Sequence, residues 1–253
     1  MDLVLQGSAD NYTLYVANTY LRLPFVKNII ISCWNNNNIQ TNEPRIRIIK
    51  SKDVEHPGVS NINRQLKSSL VGLKEVTTEF TVKLRSDQRI SLESMEFMYS
   101  FYEKNKEREL QFYNNPSKPK NKICVAGNFK PFPFHPRDHF FWGNTQDLID
   151  LFDIPYRLSL QDADYNKIIR TEAYIWAHYC SNFNPIVNTF IQNPELYLVD
   201  NAPKIKEAFE ISNSLNNVFK IFPKVDIEWP KCNPPIYNYD LMALLCGEYW
   251  TEI

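Results

Sequence analysis

The chain has 253 residues and 43% hydrophobic content, enough for one large or two small domains with a sizeable core. A net charge of −1 and a pI near 6.4 exclude the overall basic balance of a nucleic-acid binder and leave room only for a local basic pocket. Six glycines, with no G-x-x-x-x-G-K-[ST] and no G-x-G-x-x-G, exclude a glycine-rich phosphate cradle.

In chain order, Leu3–Leu5 reads as a short buried strand ending at Gln6-Gly7, and Tyr12–Leu21 as a helix. Asn28–Trp34 is a strongly apolar strand, and the four asparagines Asn35–Asn38 are loop. Arg45–Lys50 is a further β-branched run, and Asp53–Ser60, with His56-Pro57-Gly58, is a turn. Leu66, Leu70, Leu73 and Val76 recur at helical spacing and predict a helix over Asn61–Thr77. Phe80–Leu84 is a strand. This alternation predicts an α/β fold with a mostly parallel sheet.

Beyond Asp87, Ser91–Lys104 reads as a helix, Asn114–Lys122 as a mobile loop without apolar anchors, and Ile123–Ala126 as a short strand. Phe129–Pro136 holds three prolines. The aromatic cluster Phe140–Trp142 precedes a helix over Thr145–Phe152, with Thr145 as its expected N-cap. Thr171–Cys180 is an aromatic helix with Glu172 in its first turn. Pro194–Val199 is a short extended or helical piece. Ala202–Phe219 is an amphipathic stretch, and Tyr239–Trp250 is the expected last helix.

The five cysteines are scattered, odd in number and without a C-x-x-C pair, as expected for reduced thiols in a cytoplasmic protein. No run reaches the apolar length of a membrane span, which leaves a cytoplasmic protein or one peripheral on the inner face of a membrane. Asn11-Tyr12-Thr13 matches a glycosylation sequon, a chance match in a protein that is not secreted.

The run Phe80–Asp87 carries the chemistry. In an open α/β sheet, ligands bind outside the carboxyl ends of the strands. A carboxylate at such an end, Asp87, can hold a divalent cation, Mn²⁺ or Mg²⁺, against a diphosphate. The plainer reading is a strand ending in a solvated turn. Gln6 and Gly7 permit close approach of a nucleotide to the first strand end; Ser32 and Trp34 end the second strand, where Trp34 is either a donor contact or a buried anchor. Asp53 is placed to meet a ribose hydroxyl. His139 and His178 are each a potential metal ligand or, more commonly, a packed or surface histidine.

An ordered set of short segments carries a family resemblance. It comprises Gln6-Gly7, Ile31-Ser32-Cys33-Trp34, Asn61-Ile62-Asn63-Arg64-Gln65 with Ser68-Ser69 and Gly72-Leu73-Lys74, and Lys83-Leu84-Arg85-Ser86-Asp87. Then follow His135-Pro136-Arg137-Asp138 with Gly143, Asp147-Leu148, and Thr171-Glu172-Ala173-Tyr174. Together, over roughly the first 180 residues, they resemble the WavE-type lipopolysaccharide synthesis family. The resemblance implies a GT-A-like fold, a mostly parallel central sheet flanked by helices with a helical C-terminal region. It also implies a glycosyltransferase that moves a sugar from a nucleotide-sugar donor to a glycan or lipid-linked glycan. A single domain over 1–253 is the expectation, with a donor-binding half (1–87), an acceptor half (88–200) and a helical extension (201–253).

The resemblance also sets the site residues. Gln6, Gly7, Trp34, Asp53, Asn61, Asn63, Arg64, Gln65, Lys83 and Arg85 are the expected donor contacts. Arg64 is equally an exposed helix charge paired with an acid, and Asn61 equally a helix N-cap. Where GT-A enzymes commonly carry D-x-D, this chain has Arg85-Ser86-Asp87, so a base replaces the first acid. The metal then rests on Asp87 alone, or Arg85 supplies the positive charge directly. Glu172 is the expected catalytic base of an inverting reaction, with Asp138 as the other candidate. At a helix start, Glu172 also simply complements the dipole. Two further readings are a sugar nucleotidyltransferase and a non-catalytic glycan-binding or assembly protein.

Overall fold

The computed structural model describes residues 1–111, 123–125, 133–157, 171–192, 202–212, 219–221, 227–228 and 236–237. Among them, seven strands form one sheet in the order β3-β2-β1-β4-β7-β6-β8. They are β1 (Asp2–Gln6), β2 (Asn28–Trp34), β3 (Ile46–Ser51), β4 (Phe80–Arg85), β6 (Ile123–Val125), β7 (Phe140–Asn144) and β8 (Phe219–Ile221). A small antiparallel sheet joins β5 (Arg89–Ile90), β9 (Ile227–Glu228) and β10 (Ile236–Tyr237). In the main sheet β3, β2, β1 and β4 are mutually parallel, β7 runs antiparallel to β4 and β6, and β8 is parallel to β6. The fold is therefore α/β with a mostly parallel sheet, as the strand–helix alternation predicts.

Each β-strand of the first half alternates sides, so one strand serves two cores. Leu3, Leu5, Ile29, Ile31, Val82 and Leu84 enter the core beneath α1 (Asn11–Tyr20) and α3 (Leu92–Gln111). Val4 and Ile30 enter a second core beneath α2 (Ile62–Leu73), α4 (Thr145–Phe152) and α5 (Thr171–Ser181). The short α6 (Val187–Gln192) and α7 (Ala202–Ser212) close that second core with Phe190, Ala208 and Ile211.

Local chemistry sets the helix ends. Asp10 and Thr13 form a reciprocal capping box at the start of α1, and the Thr13 hydroxyl also donates to the Ser86 carbonyl at 3.0 Å. The helix predicted to reach Thr77 stops at Leu73, because the Thr77 N–H is bound by the Asp2 carboxylate (2.8 Å) rather than by a helix carbonyl. Asn144, not Thr145, caps α4: its Oδ1 accepts from the Gln146 N–H at 3.0 Å, while the Thr145 hydroxyl donates to the Thr78 carbonyl. Asn61 precedes α2 in the left-handed region (φ 60°) and makes no side-chain cap.

Three features of the second half add to the sequence reading. The aromatic cluster Phe140–Trp142 is strand β7, buried on both faces, which removes the alternation that marks a strand. Phe219, expected at the end of an amphipathic stretch, lies in β8, and the helix is described over Ala202–Ser212. The C-terminal region carries short strands beside its helix. The readings over Asn114–Lys122, Pro194–Val199 and Tyr239–Trp250 lie outside the described residues.

Candidate functional site

The strand order places a switch point between β1 and β4. From β1 the chain moves outward through β2 to β3, then crosses back to β4 on the other side of β1. The connecting helices lie on opposite faces, α1 on one and α2 on the other. A crevice opens at the carboxyl ends of two such strands, and here those ends are Gln6-Gly7 and Arg85-Ser86. The crevice floor is backbone. Gly7 N–H donates to the Ser32 carbonyl (3.0 Å), and Ser86 N–H donates to the Gln6 carbonyl (2.9 Å). Gly7 has φ 125°, and a Cβ there would lie 2.9 Å from Ser86 Oγ, so only glycine fits without displacement.

Around this floor the structure gathers charged and polar side chains from four elements. Arg85 and Asp87 form a two-bond fork, Nε to Oδ1 at 3.0 Å and Nη2 to Oδ2 at 2.9 Å, and each side chain keeps 35% of its surface exposed. The Asp87 bond, aided by the charges of Asp138 and Glu172, holds the Arg85 guanidinium above its usual pKa despite burial. Asp138, just before β7, accepts from Gln65 Nε2 of α2 at 3.0 Å. Burial works against the Asp138 carboxylate, but His139, Lys83, Arg85 and the Gln65 bond outweigh it and hold its pKa below the usual value. His139 is pushed down to about 4 by burial, against the pull of Asp138, so its ring is neutral at pH 7. The Gln88 amide lies 3.1 Å from His139 Nδ1. In the first turn of α5, Glu172 has its Oε2 3.3 Å from His135 Nε2 and keeps 22% exposure.

The expected donor contacts divide into three groups. Gln6, Gly7, Gln65 and Arg85 come together at the crevice, with Asp87, the expected metal ligand, and with Asp138 and Glu172 near Arg85. Asp53, Asn61 and Arg64 form their own exposed network. Arg64 Nε donates to both Asp53 oxygens, and its Nη1 donates to Asn61 Oδ1. Trp34, Asn63 and Lys83 are buried. Trp34 ends β2 at 9% exposure, which matches its reading as an anchor.

Asn63 is corrected from donor contact to fastener. It is fully buried and binds the carbonyls of His56 and Arg157 and the N–H of Arg157, all within 2.9 Å, tying α2 to the segment after α4. Lys83, likewise an expected donor contact, is fully buried. Its register opposite Val4 and Phe141 turns it inward, and its Nζ lies 5.0 Å from the Phe141 ring centroid and 5.1 Å from that of Phe152. Gln88 escapes sequence reasoning altogether, since nothing local separates it from any other turn glutamine.

The donor set offers little to a metal ion. Both Asp87 oxygens already accept from Arg85, and among the described residues no three His, Cys, Asp or Glu side chains converge to hold a cation. The residues at this strand end fit a fixed organic cation better than a metal carboxylate.

A family model described as WavE lipopolysaccharide synthesis matches residues 19–182, more than half of the chain. No curated protein matches the chain in sequence. Among solved structures it is similar to S. aureus TarS at 13% identity and TM-score 0.41, over 72% of this chain and 33% of that one. S. aureus TarS 1–349 in complex with UDP-GlcNAc gives 14% identity, TM-score 0.42, and coverage of 72% and 53%. The Francisella tularensis 2-C-methyl-D-erythritol 4-phosphate cytidylyltransferase IspD gives 14% identity, TM-score 0.39, and coverage of 98% and 99%. The chain spans about a third of the length of TarS. At these TM-scores none of the three bears on the chemistry of this chain. Among the described residues no helix is long and apolar enough to cross a membrane.

Proposed function

The chain belongs to the WavE lipopolysaccharide synthesis family, and from that premise we propose that it is a glycosyltransferase acting on a nucleotide-sugar donor. The acceptor is a growing surface glycan of lipopolysaccharide or capsule type, free or lipid-linked. The reaction takes place in the cytoplasm or at the inner face of the membrane. The observation that carries this reading is the convergence of Arg85, Asp87, Asp138 and Glu172 at the β1/β4 switch point.

Each group has a task in that chemistry. As the bond from sugar to diphosphate breaks, negative charge grows on the leaving diphosphate, and preorganised positive charge there is usually the largest catalytic contribution. Arg85 supplies it. Asp87 fixes the guanidinium plane through the two-bond fork, so no reorganisation is needed during the reaction. Glu172, partly exposed and flanked by His135, takes the acceptor hydroxyl proton as general base. Asp138, held by Gln65, orients hydroxyls of the donor sugar. No step is assigned to a metal, because the fork occupies the carboxylate that would hold it.

Thermal shift with UDP and GDP, with and without Mn²⁺, tests the reading through mass action on the folded state. A rise in Tm with at least one nucleotide, the same with and without Mn²⁺, is expected. A rise that requires Mn²⁺ would return the charge-stabilising role to a metal at Asp87. No response to any nucleotide would favour a non-catalytic glycan-binding protein. A donor panel read by hydrolysis then identifies the sugar, and release of pyrophosphate from a nucleoside triphosphate incubated with a sugar 1-phosphate would instead mark a nucleotidyltransferase.

A further inference from the structure

Four buried polar atoms lie on the α2 face of the sheet without a hydrogen-bond partner among the described residues: Gln6 Oε1, Ser32 Oγ, Ser69 Oγ and Lys83 Nζ. Their positions are contiguous. Gln6 and Ser32 are register partners on β1 and β2, and Lys83 is the register partner of Val4 on β4. The backbone of α2 presses on Val4 and Ser32 at Gly72, where a Cβ would meet them at 2.6 and 2.9 Å, and Ser69 lies one turn nearer the crevice. Buried polar atoms are otherwise almost always paired. Lys83 is the costliest of the four, since an ammonium loses most on leaving water.

Lys83 also lies directly behind the crevice. It is two residues before Arg85 on the same face of β4, a separation of about 7 Å along the strand. The charged groups that act on it are Asp138, Arg85 and Asp87, and the rings of Phe141 on β7 and Phe152 on α4 cover it. Of the other titratable groups on the elements around it, His139 is neutral at pH 7, and Glu172 acts on Arg85. The Asp147 carboxylate of α4 acts on Tyr179 of α5. The helix above, α2, contributes the neutral Gln65 and Ser69. Burial brings the Lys83 pKa down from 10.5 to about 7, so near neutrality the ammonium and amine are both populated.

We propose that Lys83 is a proton-coupled positioning residue, taking up a proton from solvent as the diphosphate of a donor settles on Arg85. The inference rests on the donor reading above and deepens it. Two negative charges within about 10 Å, in a site of low dielectric, favour the ammonium over the amine. The balance is simple: one proton moves from buffer to Nζ, no bond to the ligand forms, and the proton returns when the diphosphate leaves. Because the liganded protein binds more protons than the free one, affinity falls as pH rises above the free-site value.

Isothermal titration of UDP-glucose and GDP-mannose, whose doubly esterified diphosphates carry no titrating proton in this range, tests it in HEPES and in Tris. Uptake of a few tenths of a proton per donor bound near pH 8, with affinity falling about twofold or more per pH unit, is expected. Lys83→Met should abolish both the buffer dependence and the pH dependence. Where that variant fails to fold, Lys83→Arg carries a permanent charge and should bind without proton uptake. Binding with no proton uptake, or uptake that survives either substitution, overturns the role of Lys83 and leaves the donor reading intact. Binding of neither nucleotide sugar at any pH overturns the donor reading and this inference with it.

Discussion

On β4, Val82 and Leu84 enter the core beneath α1 and α3, while Lys83 and Arg85 lie on the opposite face, toward α2 and α4. The same strands therefore carry two unlike surfaces. Beneath α1, Tyr20 donates to the Ile90 carbonyl and accepts its N–H, and Thr13 reaches the Ser86 carbonyl. Toward α2 the pairing depends on which end of the strands is considered. At the amino end Asp2 accepts from Thr77 and Asn28, and Thr81 donates to the Asp2 carbonyl. At the carboxyl end the unpartnered atoms of Gln6, Ser32, Ser69 and Lys83 accumulate. On the donor reading proposed above, the paired groups of the amino end serve stability, and the unpartnered atoms of the carboxyl end lie behind the ligand.

The largest expected effect falls on the α2 face. Glu172→Gln should lower turnover by roughly 10²–10⁴-fold while donor affinity, read by calorimetry, is retained. Loss of donor affinity instead would make Glu172 a binding residue. Next comes Arg85→Gln, which removes the charge offered to the leaving diphosphate and should cost about 10²–10³-fold in kcat. Asp87→Asn, which frees one arm of the fork, should reduce transfer far more than it reduces Tm. If Asp87→Asn transfers at the wild-type rate, the fork has no part in the reaction.

Leu84→Ala tests the other face at the residue between Lys83 and Arg85. Leu84 is fully buried, so its truncation should destabilise the fold by about 2–5 kcal/mol, seen in urea unfolding. Activity per folded molecule should be unchanged. A variant that keeps its stability but loses turnover would erase the division between the faces.

The α1 face was readable in the sequence because its logic is local. Short apolar runs in Leu3–Leu5 and Asn28–Trp34 and the alternating run Phe80–Leu84 identify the strands. The α2 face was less readable, because its chemistry depends on which strand ends become neighbours. Arg85 and Asp87 are two apart in sequence, so their fork is within reach of inspection. The Gln65–Asp138 bond spans 73 residues, and only the antiparallel return of β7 beside β4 creates it. Strand β7 itself was hidden, since Phe140-Phe141-Trp142 has both faces covered and no period to detect. Arg64 and Asn63 illustrate the same limit: adjacent on α2, one points out to Asp53 and the other is sealed against Arg157.

A smaller effect separates the faces by pH. Because Lys83 has its pKa lowered to about 7 in the folded state from an ordinary 10.5, the unfolded chain binds more protons between those values. This group therefore makes stability rise with pH across that window. Lys83→Met, which replaces a buried cation by an apolar chain of similar length, should stabilise the fold by about 1 kcal/mol at pH 7 and flatten that rise. Urea midpoints measured from pH 7 to 9.5 would show it. A slope unchanged by the substitution would mean that Lys83 is not the group titrating.

The smallest expected effect lies in acid, away from the crevice. His178 on α5 packs against Tyr174 with ring centroids 4.4 Å apart, and burial lowers its pKa from 6.5 to about 4. His139 is lowered likewise, so from pH 6.5 down to about 4 the unfolded chain takes up protons that the folded chain refuses. Stability from these two groups is complete above pH 6.5 and is lost as pH falls through that window. His178→Asn should remove one histidine's share of the slope without touching donor binding, because Glu172 lies in the first turn of α5, toward the crevice, and His178 in the last, away from it. His139, beside Asp138, should move stability and donor affinity together. If both substitutions alter only stability, His139 belongs to the packed interior, and the crevice ends at Asp138.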